Sequence, residues 1–235
     1  SQGVGTITDD DAAPTVTLSV DNSSIAEAGG VATVTATLSN ATTQTVTVSL
    51  GYTGTATGPD YSASASSIVI ASGTTGTATI TATSDTIFEG SETVIVDITG
   101  VTNGTESGTQ QEIVTISDDD SAPSVTLSVD NSSIAEAGGV ATVTATLSNA
   151  TTQTVTVSLG YTGTSTGSDY SASASSIVIA SGTTGTATIT ATSDTIFEGS
   201  ETVIVDITGV TNGTESGTQQ ETVTISDDDS APTVT

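Results

Sequence analysis

Three short acidic runs recur along the chain, and each consists of three consecutive aspartates followed closely by Ala-Pro. They occupy residues 9–11, 118–120 and 227–229. Adjacent carboxylates repel one another, so such a run needs a positive charge nearby. The chain contains no Lys, Arg or His, and its formal net charge is −27. A bound metal ion is therefore the candidate that remains for balancing these charges.

Other carboxylates between the first two aspartate runs lie in predicted loops. Glu27 precedes the second predicted strand and Asp60 precedes the fourth, whereas Asp85, Glu89 and Glu92 lie between the fifth and the sixth. In a β-sandwich these loops can meet the aspartate run at one end, where up to eight carboxylates would converge. Calcium takes six to eight oxygen ligands. The lack of nitrogen and sulfur ligands argues against zinc and copper, and magnesium fits less well because it keeps its waters.

The acidic runs also mark the boundaries of an internal repeat. Pro123 lies 109 residues after Pro14, and residues 14–122 differ from residues 123–231 at four positions. These positions are Thr15/Ser124, Ala56/Ser165, Pro59/Ser168 and Ile113/Thr222. Such near-identity indicates a tandem array. We interpret residues 1–11 as the end of a preceding repeat, 12–120 and 121–229 as two complete repeats, and 230–235 as the start of a following one.

Apolar residues alternate with Thr and Ser along the repeat, which is the pattern of half-buried strands. Val114 and Ile116 are predicted to face inward, and residue 113 outward, because Ile113 becomes Thr222 in the second copy. Seven short strands per repeat, without helical periodicity, predict an all-β fold. The expected architecture is two tandem immunoglobulin-like, seven-stranded antiparallel β-sandwiches.

The predicted core consists mostly of Val, Ile, Leu and Ala, with few aromatic side chains. A core this rich in Ala and Val is thin, so we expect marginal stability without metal. Phe88 and Phe197 are predicted to plug the core beneath the acidic loop.

The composition excludes several classes of function. A strongly acidic chain is not attracted to nucleic acid or to anionic membranes, which both require clustered Lys and Arg. The absence of Cys removes disulfides and thiolate sites. Catalysis is not expected, because His, Lys and Cys are missing as general bases and no aromatic sugar platform accompanies Glu89 and Glu92. No transmembrane run is visible.

The run SDTIFEGSE at residues 84–92, Asp60-Tyr61, SIAEAGG at residues 24–30 and the closing SDDDSAP together resemble the Calx-beta domain. This family is known from the regulatory loop of sodium/calcium exchangers and from many bacterial surface proteins. The resemblance covers each whole repeat. It implies calcium ligands at Glu27, Asp60, Asp85, Glu89, Glu92, Asp118, Asp119 and Asp120, and at Glu136, Asp169, Asp194, Glu198, Glu201, Asp227, Asp228 and Asp229.

The resemblance further implies that the backbone carbonyl of Ile87 or Ile196 contributes to the site. One departure from the family pattern concerns the residues just before the IFE segment. Exchanger domains tend to carry an aspartate run there, where this chain has Ser84-Asp85-Thr86. Two or three calcium ions per repeat junction are therefore expected, in place of a four-ion cluster.

These features favour a structural function. The expected protein is a row of extender repeats in a long extracellular, bacterial-type surface adhesin or fibre, made rigid by calcium where neighbouring repeats of the same chain meet. One alternative is a calcium-sensing regulatory module, and another is a self-assembling filament subunit that binds other copies of the chain. Dissociation constants separate the first two, since extracellular modules bind calcium more weakly than sensors do.

Overall fold

The fold is described from a computed structural model that covers residues 2–6, 8 and 10–234. The described residues form two compact units. Unit 1 takes the residues up to Thr86 together with Gly90–Asp119, and unit 2 takes Ile87–Glu89 together with the residues from Asp120 onward. Every regular element in this part of the chain is a β-strand. No helix capable of crossing a membrane occurs among the described residues.

Each unit contains ten strands. Those of unit 1 are β1 (Thr15–Val20), β2 (Ser24–Ala26), β3 (Val31–Leu38), β4 (Val46–Gly54), β5 (Tyr61–Ala63), β6 (Ser67–Ile70), β7 (Thr75–Ala82), β8 (Glu92–Thr102), β9 (Thr105–Glu106) and β10 (Gln111–Ser117). Those of unit 2 are β11 (Ser124–Val129), β12 (Ser133–Ala135), β13 (Val140–Leu147), β14 (Val155–Gly163), β15 (Tyr170–Ala172), β16 (Ser176–Ile179), β17 (Thr184–Ala191), β18 (Glu201–Thr211), β19 (Thr214–Glu215) and β20 (Gln220–Ser226).

The strands of each unit form two five-stranded sheets. In unit 1 the orders are β5-β7-β3-β1-β9 and β2-β10-β8-β4-β6, and unit 2 repeats both orders with its own strands. The predicted all-β tandem sandwich is therefore confirmed. The predicted number of seven strands is wrong, because β2, β5 and β9 are also present. These strands span only two or three residues, and β2 and β9 run parallel to their partners β10 and β1.

The cores follow the predicted alternation. Along β13 every second side chain from Ala141 to Leu147 is buried. Val114 and Ile116 are buried, whereas Ile113 is 48% exposed, which confirms the orientation predicted from the substitution at residue 222. Burying one Val or Leu side chain contributes about 1.5–3 kcal/mol. The two sheets form the frame that fixes the positions at which the loops leave it.

The end of β14 requires glycine. Gly163 has a φ of 125°, and a Cβ atom at this position would lie 2.1 Å from the carbonyl oxygen of Thr202 in β18. Only glycine adopts this backbone conformation readily and allows so close an approach. Gly163 thus sends the chain from β14 into the loop that carries Thr166 and Asp169, which lie beside the acidic end of the sandwich.

Candidate metal centre

Unit 2 contains all eight predicted carboxylates of the second repeat, and strand ends position them. Glu136 directly follows β12, and Asp169 directly precedes β15. Asp194 and Glu198 lie in the connection between β17 and β18, and Glu201 is the first residue of β18. Residues 227–229 follow β20. These elements of both sheets bring carboxylates that are far apart in sequence to one end of the unit.

Six of the eight carboxylates form two groups of three. Within each group, one carboxylate oxygen from every residue lies within 4.8 Å of the others. The first group is Glu136, Asp194 and Asp229, and the second is Asp169, Glu198 and Glu201. Three negative charges at such distances repel strongly where water is partly excluded. The groups therefore provide oxygen ligands without a balancing charge, since the chain has no cationic side chain.

Several of these carboxylates are removed from solvent. Glu136 is 6% exposed and Asp169 is 8% exposed. The Oδ2 atom of Asp229 is buried and has no hydrogen-bond partner. Burying an unpaired carboxylate oxygen is costly, so such groups are normally paired or bound to a metal. Among the atoms of the two groups, Asp229 Oδ2 would thus be stabilised most by a bound cation.

Backbone donors hold the carboxylate of Asp227 in place. Its Oδ2 atom accepts from the amides of Glu198 at 2.9 Å and of Gly199 at 2.6 Å, and its Oδ1 atom accepts from the amide of Asp229 at 2.8 Å. These bonds lower the pKa of Asp227, with the Asp229 amide contributing most. Asp227 therefore ties the loop before β18 to the end of β20.

Asp169 is also held in place by local donors. Its Oδ2 atom accepts from the backbone amide of Thr166 at 2.6 Å and from the Thr166 hydroxyl at 2.9 Å. The Ser168 hydroxyl donates to Oδ1 at 2.9 Å. The amide of Thr166 is the largest cause of the lowered pKa of Asp169. Residue 59 of the first repeat is Pro in place of Ser168, so that repeat lacks the corresponding hydroxyl donor.

Three members of the two groups, Glu198, Glu201 and Asp229, have pKa values shifted in the opposite direction. Desolvation and then the charge of Asp169 raise the pKa values of Glu198 and Glu201. Desolvation, followed by the charge of Asp227, raises the pKa of Asp229. Protons thus bind more readily here than in the unfolded chain, as expected for a site that favours positive charge.

These shifts predict how the metal-free protein responds to acid. A carboxyl whose pKa is higher in the folded state binds more protons when folded, so stability rises as the pH falls. We expect thermal melts in chelator to show a higher melting temperature near pH 5 than at pH 7, because Glu198 and Glu201 titrate above their ordinary value of 4.5. Below their ordinary value of 3.8, Asp169 and Asp227 lose their bonded charged form, and stability falls again. A metal-free melting temperature that falls steadily from pH 7 to pH 5 would contradict this expectation.

The space between the groups suits a small cation. A cavity of about 10 Å³ is lined by the side chains of Glu136, Asp169, Glu198 and Glu201, among others. This is about the volume of one water-sized sphere. Hard carboxylate oxygens without nitrogen or sulfur donors are the ligand set of calcium. The residues therefore fit calcium.

Unit 1 contains the same kind of hydrogen bonds between backbone amides and carboxylates. The amide of Asp85 donates to Oε1 of Glu27 at 3.0 Å, as Asp194 does to Glu136. The amide of Gly90 donates to Oδ2 of Asp118 at 2.6 Å. Glu27 is 5% exposed. The carboxylates of the first repeat are divided between the units: Glu27, Asp60, Asp85, Glu92, Asp118 and Asp119 belong to unit 1, whereas Glu89 and Asp120 belong to unit 2.

In the runs 118–120 and 227–229, the middle aspartate stands apart from the other two. Asp228 is exposed and lies outside both groups of unit 2, and Asp119 is exposed as well. The sequence pattern gave all three aspartates of a run the same role. It also missed Thr166, whose position three residues before an aspartate is the local signal of a side-chain-to-backbone turn.

The predicted role of Phe197 as a core plug is wrong. Its side chain is 48% exposed, and that of Ile196 is 60% exposed. Phe88 is only half-buried. The backbone next to Phe197 is held by Asp227, which accepts from the amides of Glu198 and Gly199.

The fold and this acidic end together define a tandem of β-sandwich domains with calcium-type ligand clusters in their loops. The chain belongs to the Calx-beta family: the family model described as Calx-beta domain matches residues 9–120 and 118–229. The resemblance inferred from the sequence is therefore confirmed. No curated protein matches the chain.

Solved structures give further likenesses. The crystal structure of CBD12 from CALX1.2 is 14% identical, with a TM-score of 0.42, and the match covers 91% of this chain and 100% of that chain. The calcium binding domain CBD12 of CALX1.1 is 16% identical, with a TM-score of 0.38 and coverages of 78% and 76%. The S-layer protein rSbsC is 20% identical, with a TM-score of 0.29 and coverages of 93% and 28%.

Proposed function

We propose that the chain is a pair of calcium-rigidified extender repeats of an extracellular surface protein or fibre. The observation that carries this proposal is the buried Oδ2 atom of Asp229, which has no hydrogen-bond partner and lies in a group of three carboxylates. In a chain with no cationic side chain, a divalent ion is the available means of stabilising that atom.

Two ions per repeat would use the two groups. Glu136, Asp194 and Asp229 would hold one ion, and Asp169, Glu198 and Glu201 would hold the other. Calcium supplies the positive charge that turns mutual repulsion into shared coordination. Glu92, Asp60 and the other predicted ligands of the first repeat would also coordinate calcium. The backbone carbonyls of Ile87 and Ile196 are proposed as additional ligands.

The residues around the groups prepare the site before an ion binds. Asp227 fixes the loop of Glu198 and Gly199 against the end of β20 through three backbone bonds. Thr166 and Ser168 orient Asp169. Preorganised ligands lose less conformational entropy on binding, so these contacts increase affinity without touching the ion.

The proposed rigidity of the junction between repeats follows from the position of the carboxylate groups in the chain. The aspartate run is separated from the first strand of the next repeat by three residues, of which the last is Pro123. Proline restricts its own backbone and that of the residue before it. Ions that fix the aspartate run would therefore also fix the direction in which the next repeat leaves.

The proposed extracellular location predicts a weak affinity for calcium. Modules that work outside cells bind calcium with dissociation constants of roughly 0.1–1 mM. Calcium sensors bind more tightly, with dissociation constants of roughly 0.1–10 µM. Isothermal titration calorimetry on the whole chain separates the extender from a calcium-sensing module. Dissociation constants near 1 µM would favour the sensor, and values near 0.1–1 mM support the extender.

Removal of calcium is expected to shorten the chain on average. Small-angle X-ray scattering in about 5 mM calcium should give a narrow distance distribution, and excess chelator should broaden it toward shorter distances, because repelling loops no longer fix the junction. Magnesium at equal ionic strength is the control, since it keeps its waters and fits the site poorly. Identical curves in calcium and in chelator would refute the rigidifying role.

A further inference from the structure

Two of the four differences between the repeats fall in one short loop. In unit 2 this loop, residues 164–169, connects β14 to β15 and ends at Asp169, a member of the second carboxylate group. The two replaced positions are Ala56/Ser165 and Pro59/Ser168. The near-identical repeats therefore differ most densely beside a candidate calcium ligand.

The backbone of this loop is held in the same way in both units. The amide of Ser165 donates to the carbonyl oxygen of Thr202 at 3.1 Å. The amide of Ala56 makes the same bond to the carbonyl oxygen of Thr93, also at 3.1 Å. Thr202 directly follows Glu201, which belongs to the second carboxylate group. The loop thus brings residue 165 beside Glu201, and the difference between the repeats at this position is one of side chain.

The side-chain hydroxyl of Ser165 is buried close to an anionic acceptor. Its Oγ atom makes no hydrogen bond of normal geometry. The pKa of Glu201 is raised, chiefly by desolvation, and the Ser165 side chain opposes that rise, so the hydroxyl lies close to the carboxylate. A buried hydroxyl without a hydrogen bond is costly. The first repeat avoids this cost, because Ala56 is 8% exposed and carries only a methyl group.

The position of Ser165 relative to the cavity separates it from the ligands. Glu201 and Asp169 line the cavity between the carboxylate groups, whereas Ser165, which the structure describes, is not part of its wall. A hydroxyl outside the wall influences an ion in the cavity by orienting a ligand. Hydrogen-bond partners that orient metal ligands typically change metal affinity by roughly 10- to 100-fold. Ser165 can therefore act on an ion through Glu201.

We propose that Ser165 is a positioning residue for calcium, and that it makes the second repeat bind calcium about tenfold more tightly than the first. In the ion-bound site Glu201 is held in one orientation, and its carboxylate accepts the hydrogen bond that Ser165 otherwise lacks. Ser168 acts in the same direction, because its hydroxyl donates to Oδ1 of Asp169 at 2.9 Å. The inference rests on the proposed function, since it assigns unequal affinities to the calcium sites of that function.

Unequal affinities give the extender an ordered response to calcium. At calcium concentrations between the two dissociation constants, the second repeat is loaded and the first is not. The difference arises from neutral side chains, so both repeats keep the same number of carboxylates. Affinity is thus adjusted without a change in net charge.

Calcium titration followed by two-dimensional proton–nitrogen NMR on the whole chain measures both repeats at once. The amide of Thr166 donates to Asp169 and that of Thr57 donates to Asp60, so each amide reports on one repeat. We expect the calcium midpoint of Thr166 to lie about tenfold below that of Thr57. Two equal midpoints in the unmodified chain would overturn the inference.

Exchange of the residue between the repeats tests the role of the hydroxyl. Ser165→Ala should raise the midpoint of Thr166 about fivefold or more and leave that of Thr57 unchanged, whereas Ala56→Ser should lower the midpoint of Thr57. The matched control is Ser124→Thr, which also installs a first-repeat residue but lies at the start of β11, outside both groups. It should move neither midpoint by more than about twofold.

A measurement in chelator separates positioning from a purely structural role. Ser165→Ala removes a buried hydroxyl without a hydrogen bond, so the melting temperature in chelator should rise by about 3 °C or more while calcium affinity falls. A merely structural role for Ser165 would lower the melting temperature in chelator and leave the ratio of the two calcium midpoints unchanged. That pair of results would overturn the inference.

The same titration distinguishes this inference from the proposed function. Clear midpoints for both amides that Ser165→Ala leaves unchanged would overturn the positioning role and leave the calcium-rigidified extender intact. A lack of any response of either amide up to about 10 mM calcium, well above the range of extracellular modules, would overturn both.

Discussion

Addition of about 10 mM calcium to the metal-free chain is expected to raise its melting temperature by about 10–20 °C. A site with a dissociation constant near 0.1 mM contributes about 2.7 kcal/mol at a hundredfold excess of ligand. Two such sites in a unit contribute about 5 kcal/mol, and 1 kcal/mol shifts the melting temperature of a domain of this size by about 3–4 °C. The thin cores of Val, Ile, Leu and Ala make this contribution a large part of the total stability.

Differential scanning calorimetry over a series of calcium concentrations measures this effect. The melting temperature should keep rising with calcium above saturation of the sites, as linkage requires for a ligand that binds only the folded state. Sodium chloride at matched ionic strength is the control, because general screening would relieve part of the repulsion without coordination. A shift of under about 2 °C relative to that control would mean that the acidic groups do not hold calcium in the folded protein.

The substitution Asp229→Asn is expected to change stability in opposite directions with and without calcium. Without metal, it removes one charge from the group of Glu136 and Asp194 and replaces the buried unpaired carboxylate by a neutral amide, so the melting temperature should rise. With calcium, it removes a charged ligand, and the affinity of that site should fall about 10- to 100-fold. The melting curves of the variant in calcium and in chelator should therefore lie closer together than those of the unmodified chain.

Asp228→Asn is the matched control for this experiment. It removes the same charge one residue earlier in the chain, but Asp228 is exposed and lies outside both groups. Its metal-free and calcium-bound melting temperatures should both stay within about 2 °C of those of the unmodified chain, because surface substitutions of this kind change stability little. If both variants behave alike, the general charge of the aspartate run would be responsible, and Asp229 would not be a specific ligand.

The major strands could be predicted from the sequence because their signal is local. Alternation of apolar and polar residues marks one buried face, and β3 and β10 follow it residue by residue. The short strands β2, β5 and β9 could not be found in this way. They contain two or three residues, and their pairing depends on a neighbouring strand that lies far away in sequence, such as β10 beside β2.

The candidate site was predictable as a set of residue types but not as an arrangement. Acidic loops in a chain without cations indicate a metal site wherever the loops meet. The different roles of adjacent aspartates follow from hydrogen bonds that only the folded backbone reveals: Asp227 binds three amides, Asp229 has a buried free oxygen, and Asp228 is exposed. The exposure of Phe197 was missed for a related reason, since hydrophobicity alone does not state whether a loop can reach the core.

The 109-residue period has a consequence for how the protein reaches its native state. Strands β1 and β11 differ at one position, so either could pair with β3 or with β13 at almost equal energy while the chain is still unfolded. Exchange of strands between similar neighbours is a common failure of repeat proteins. A ribosome adds about 5–20 residues per second, so synthesis of the second unit is completed roughly 5–20 s after that of the first. Sandwich domains typically fold in milliseconds to seconds, so sequential synthesis lets the first unit use its own strands before its near-duplicate emerges.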